Sequence, residues 1–78
     1  MKNYFVIEIQ NNADGTSGNI VTGYEDRTAS ETAYLTTRAA AAVSSVLIHT
    51  VVWMDNKGNV IEKKSYVHPA PEPEQAGE

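Results

Sequence analysis

Cysteine is absent from the 78 residues, so no disulfide can staple the chain. Two histidines without cysteine leave no ligand set for a structural zinc site, and neither metal nor cofactor is expected. Proline is confined to Pro69, Pro71 and Pro73. Glycine forms no nucleotide-binding motif, because Gly15 and Gly18 fall in a run of turn formers and not between a strand and a helix. No nucleophile elbow of the hydrolase kind occurs, and Met1-Lys2 provides no amino-terminal proline base of the small-tautomerase kind. No apolar run approaches a membrane span, and the run Tyr4 to Ile7, closed by Glu8, is too short for a signal peptide. The expectation is a cytoplasmic protein without membrane association.

Strong charge of either sign is missing as well. The net charge of −4 arises largely from Glu72, Glu74 and Glu78 in the last ten residues, leaving six basic and seven acidic side chains before them. A near-neutral body lacks the basic stripe that neutralises phosphates, so nucleic acid is not an expected partner. It also lacks the dense acidic face needed to imitate DNA by charge. Residues 69–78 combine the prolines and these glutamates with nothing large to bury, which predicts a disordered tail after a single domain over residues 1–68.

What is present reads as strand, strand, helix, strand, strand. Tyr4 to Gln10 is rich in β-branched and aromatic residues, with Phe5, Ile7 and Ile9 on one face and Tyr4, Val6 and Glu8 on the other. Asn11 to Gly18 predicts an exposed hairpin loop, and Asn19 to Tyr24 the returning strand, where Gly23 signals a bulge or a close backbone contact. Thr28 with Glu31 fits a capping box, with Asp26 as a competing N-cap. The helix is predicted to run to Ser44 or Ser45. Its apolar stripe is Ala33, Thr36, Ala40 and Val43, widened by Ala29, Leu35, Ala39 and Ala42. The alanines Ala39 to Ala42 favour a helix lying tight on its own sheet, with a helix–helix seam as the alternative.

Val46 to Asp55 is apolar on both alternating faces and predicts a central strand covered on both sides. Asp55 to Asn59 is a hairpin turn with Gly58 in the left-handed conformation, and Asn59 to Val67 suits an edge strand. The expected fold is α+β, a four-stranded antiparallel sheet in ββαββ order with one helix on one face. One helix shields one face only. The third strand, and to a lesser degree Tyr4 and Val6, then offer apolar groups to the opposite face. That surplus predicts a homodimer or higher homo-oligomer.

Four side chains are candidates for binding a ligand: Tyr34, Arg38, His49 and Trp53. His49 reads as a general base near Tyr34 or Asp55, or as a hydrogen-bonded strand histidine; no partner at fixed spacing favours the base, and no catalytic residue is assigned. Trp53 reads as a stacking platform or as core or interface packing. Arg38 reads as a phosphate clamp or as the partner of a glutamate, while Thr36, Thr37, Ser44 and Ser45 form a polar helix rim. His68, before Pro69, is expected to be solvated. A small-ligand binder using the four candidates on an intersubunit cleft, holding a nucleotide or similar anion, is the alternative to an interaction protein. A minimal hydrolase using His49 ranks last.

Tyr4 to Gln10, the run Ala39 to Val46 leading into Ile48-His49-Thr50, the turn Asn56-Lys57-Gly58 and the end Tyr66-Val67-His68 together resemble short uncharacterised proteins encoded by phages and prophages of Gram-positive gut anaerobes. The likeness covers most of residues 3–68 and is one of overall pattern. It carries over no functional residue. It implies a small mobile-element protein, located in the host cytoplasm, that acts as an accessory or interaction factor on a host or phage protein and not as a metabolic enzyme.

Overall fold

The computed structural model describes residues 1–69, and the expectation of a disordered tail lies, beyond Pro69, outside the described residues. Strands β1 (Tyr4–Asn11) and β2 (Ser17–Tyr24) precede helix α1 (Arg27–Ala42), and β3 (Ile48–Asp55) and β4 (Val60–Val67) follow it. The four strands form one antiparallel sheet in the order β2-β1-β3-β4. The ββαββ α+β fold expected from the sequence is the fold observed. The most apolar strand, β3, is central, and β4 with Lys63 and Lys64 is an edge. Two hairpins joined through the pairing of β1 with β3 leave α1 a single resting place, across β3 and β1.

The turns follow local chemistry. In the first hairpin, Asp14 Oδ1 accepts from the Thr16 backbone N–H at 2.9 Å and the Thr16 hydroxyl at 2.7 Å. This ordering lets the strands continue to Asn11 and Ser17, so the predicted loop shortens. In the second hairpin, Gly58 takes φ +88°, as expected for a left-handed turn position. Gly23 makes the close contact and not the bulge: a β-carbon there would stand 3.1 Å from the Phe5 ring and 3.0 Å from Lys2 Cγ. The bulge lies instead opposite Trp53 and Met54, where β4 carries the additional residue Ile61.

Three expectations for the helix are corrected. Asp26, not Thr28, is the N-cap, its carboxylate accepting from the Ala29 N–H at 2.9 Å. The helix stops at Ala42 and not at Ser44, because Ser44 turns its hydroxyl toward Val46 N–H and His49; β3 correspondingly starts at Ile48 and not Val46. The buried stripe is Ser30, Tyr34 and Ala41, flanked by Ala33. Val43 is 85% exposed, and Leu35, Ala39 and Ala40 are exposed as well. A rotation of the stripe by about one residue follows from Tyr34, the only large ring on the helix, and from Ser30, which supplies an acceptor to the sheet below.

The face assignment within β1 is also corrected. Tyr4 and Val6 were expected opposite the helix; they lie beneath it, since Cα-paired residues share a face and Val6 pairs with Trp53. Val6, Tyr34, Ala41, Val51 and Trp53 make up the buried core, with Tyr24, Ala33, Ile61 and Tyr66 packed around it. The face left bare carries Phe5, Ile7 and Ile9 of β1 and Ile48, Val52 and Met54 of β3.

Candidate functional site

Of the four sequence-predicted site residues, Tyr34, His49 and Trp53 are interior. Tyr34 is wholly buried and its ring stacks on Trp53 with centroids 5.7 Å apart. Trp53 Nε1 donates to Ser30 Oγ at 2.9 Å, and Ser30 in turn donates to the Arg27 carbonyl at 2.7 Å. An indole N–H that enters a core without an acceptor costs free energy, so Ser30 is what allows tryptophan at this place. Arg38 lies 5.6 Å from the Tyr34 ring centroid and donates to Glu62 Oε2 on β4 at 2.8 Å. Burial pushes the Tyr34 phenol above its ordinary pKa, an effect the nearby Arg38 opposes. Among the described residues its buried Oη has no hydrogen-bond partner of good geometry, although the Arg38 guanidinium lies against the ring.

His49 stands apart from that group, with Val51 between it and Trp53 on the same face. Its expected neighbours were Tyr34 or Asp55; its actual partners are Ser44 and Glu8. Nδ1 is 2.8 Å from Ser44 Oγ and Nε2 is 2.5 Å from Glu8 Oε2, which also accepts from the Gln10 amide at 3.0 Å. Hydroxyl, imidazole and carboxylate thus form a chain across the loop after α1, β3 and β1. The same order of groups activates serine nucleophiles elsewhere. Here the surroundings oppose that chemistry. Ser44 follows the last turn of α1, whose carbonyls place partial negative charge beside it. The Ser44 oxygen also accepts the Val46 N–H. The arrangement satisfies a buried histidine and ties the helix end to the sheet.

His68 joins this latch and is not solvated as expected. Its backbone N–H donates to the Leu47 carbonyl at 2.7 Å, its Nε2 lies 2.9 Å from the Ala41 carbonyl, and its ring stacks on Tyr66. An imidazole N–H donated to this carbonyl adds to the Ser44 backbone N–H that it already accepts at 3.3 Å. Sequence reading missed Ser44, Glu8 and Ser30 as partners because the links span 5, 41 and 23 positions.

Two further surfaces remain. One is the bare sheet face, where Ile9 is 36%, Val21 56%, Val60 51% and Val67 72% exposed. Among its few polar groups, Thr50 and Ser65 bond each other across β3 and β4 at 2.9 Å. The other is a cleft on the helix side, at the end of the sheet where β1 starts and β3 stops, lined in part by Tyr4, Arg27, Asp55 and Lys57. Among the described residues no group of histidine or acidic side chains is arranged to hold a metal, and no helix is long and apolar enough to cross a membrane. Comparison with protein families, curated proteins and solved structures returns no match.

Proposed function

We propose that this is a non-enzymatic, self-associating interaction protein whose bare sheet face packs against the same face of a second copy. The observation that carries the reading is the run of apolar side chains across all four strands of that face: Val21, Phe5 to Ile9 at alternate positions, Ile48, Val52, Met54, and Val60 with Val67. Strands of eight residues, four abreast, give a face of about 26 Å by about 19 Å. Two such faces in contact bury roughly 1,000 Å², the lower bound for a specific interface. A second copy is the occupant this composition favours. Face-to-face packing of identical sheets matches apolar centre to apolar centre, and the Thr50–Ser65 pair can be buried without losing its hydrogen bond.

The resemblance to phage and prophage proteins supports an accessory role in the host cytoplasm, with the dimer presenting its helices and hairpin loops to a host or phage protein. Light scattering on the full chain at micromolar concentration tests self-association. A dimer mass that falls to one chain in Ile7→Lys, with the circular dichroism spectrum unchanged, is the expected result. A wild-type chain that is strictly monomeric overturns the reading.

A further inference from the structure

We propose that the cleft between the start of α1 and the second hairpin is a binding site for a small organic phosphate of the nucleoside monophosphate type. The cleft has a volume of about 330 Å³ and two cationic side chains in its wall, Arg27 and Lys57. Arg27 is held there by aromatic contacts, its guanidinium carbon lying 5.1 Å from the Trp53 ring centroid and 5.9 Å from that of Tyr4. Among the described residues it forms no ion pair and donates no side-chain hydrogen bond, unlike Arg38, which is paired with Glu62.

The carboxylates close to these cations are already engaged. Asp55 accepts from the Lys57 and Asn59 backbone N–H groups through Oδ1 and from the Asn59 side chain through Oδ2. Asp26 is occupied with the Ala29 N–H. Asp55 keeps its charge and takes up part of the Lys57 field, so the Arg27 guanidinium fork, with Lys57 in the same wall, is the group left to an external acceptor, and a phosphate monoester matches such a fork. The remaining wall accounts for the organic part. Tyr4 and Ile61 add a small apolar patch that a bare phosphate cannot use. Asn56 donates its amide N–H to Asn3 at 3.2 Å, which leaves its carbonyl oxygen to accept from an amino or hydroxyl group. The cleft lies on the helix side of the sheet, so the inference is independent of packing on the bare face.

Titration of the full chain with adenosine monophosphate, followed by amide NMR, tests the site. Ribose 5-phosphate, adenosine and inorganic phosphate are the comparison ligands. Saturable shifts centred on Arg27, Asn56 and Lys57 are expected, with adenosine monophosphate binding more tightly than any of the three fragments. Lys57→Ala, which removes no core contact, and Arg27→Lys, which keeps the charge but loses the fork, should each weaken binding at least about tenfold. Lys63→Ala on the opposite face should leave it unchanged. Absence of saturable binding overturns the proposal, and so does affinity that survives both Lys57→Ala and Arg27→Lys. Equal binding of adenosine or of inorganic phosphate alone overturns the two-part ligand.

Discussion

The two faces of the sheet draw on the same apolar residue types and stand in opposite situations. On the covered face Val6, Val51 and Trp53 lie under α1, with exposures of 5%, 0% and 3%. On the other face Val21, Val60 and Val67 are more than half open to solvent and Ile9 about a third. The covered face also holds the polar groups that need partners. Trp53 finds Ser30, and His49 finds Ser44 and Glu8. The bare face holds few such groups, and its central pair, Thr50 and Ser65, is self-sufficient. A surface whose central polar groups are few and, Lys63 apart, paired with each other is suited to repeated docking and release, whereas a surface full of paired polar groups specifies one arrangement. The difference places the polar pairing on one side of the sheet and, on the function proposed above, association on the other.

The sharpest way to break that division is to remove the ring at its centre. Trp53→Ala should destabilise the chain by about 3–5 kcal/mol, a large share of what a domain of this size possesses, and urea denaturation will read it as a loss of the cooperative transition. Next comes the latch. Glu8→Ala leaves a buried imidazole nitrogen without its acceptor and should cost about 2 kcal/mol, measured as a lowered urea midpoint. Val52→Glu, on the bare face where it would face Lys63 across the strands, should instead leave the urea midpoint of the monomer nearly unchanged while abolishing the proposed dimer in light scattering. A comparable stability loss in Val52→Glu and in Val51→Glu would erase the distinction between the faces.

Smaller effects sharpen it further. The Asp55 carboxyl is held below its ordinary pKa by hydrogen bonds from the Asn59 side chain and backbone and from the Lys57 backbone. A depressed folded-state value means that this group's stabilisation is complete at neutral pH and is lost as pH falls through the folded value. Asp55→Asn should therefore flatten the acid limb of a stability-versus-pH curve. Asp14, held down by Thr16 in the other hairpin, should behave likewise. The smallest change concerns the unpartnered phenol. Tyr34→Phe should be neutral or raise stability by up to about 1 kcal/mol, since it deletes a buried hydroxyl without a bond and keeps the stack on Trp53. A loss of more than that in thermal melts would show that Arg38 or a bound water satisfies the oxygen.

The particular residues that reveal the fold are those whose signal is local. Period-two alternation marks the strands. The turn at Asp55 to Asn59 closes a hairpin through contacts no more than four positions apart, so it was legible. The helix phase was not. Ala33, Ala40 and Val43 are as apolar as the buried Ala41, and propensity cannot rank them. What ranked them is the need of one indole for one hydroxyl, a contact between Ser30 and Trp53. The candidate ligand residues fared similarly. Tyr34, Trp53 and His49 are the kinds of side chain that binding sites use, and the same size and polar tips make them core pieces once partners arrive from other elements. Arg27 drew no attention because nothing in its neighbours along the chain marks it; its significance comes from the Tyr4 and Trp53 rings beside it.

By itself the sequence determined the four strands and the helix, the central place of β3, and an excess of apolar surface over what one helix hides. Each of these depends on the order of residue types along the chain, which local geometry turns directly into strands, turns and faces. Tertiary structure alone decided which face receives the helix, which serine, glutamate and histidine meet, and which arginine stays unpaired among the described residues. Those outcomes depend on register between distant strands, where a shift of one residue exchanges the two faces entirely.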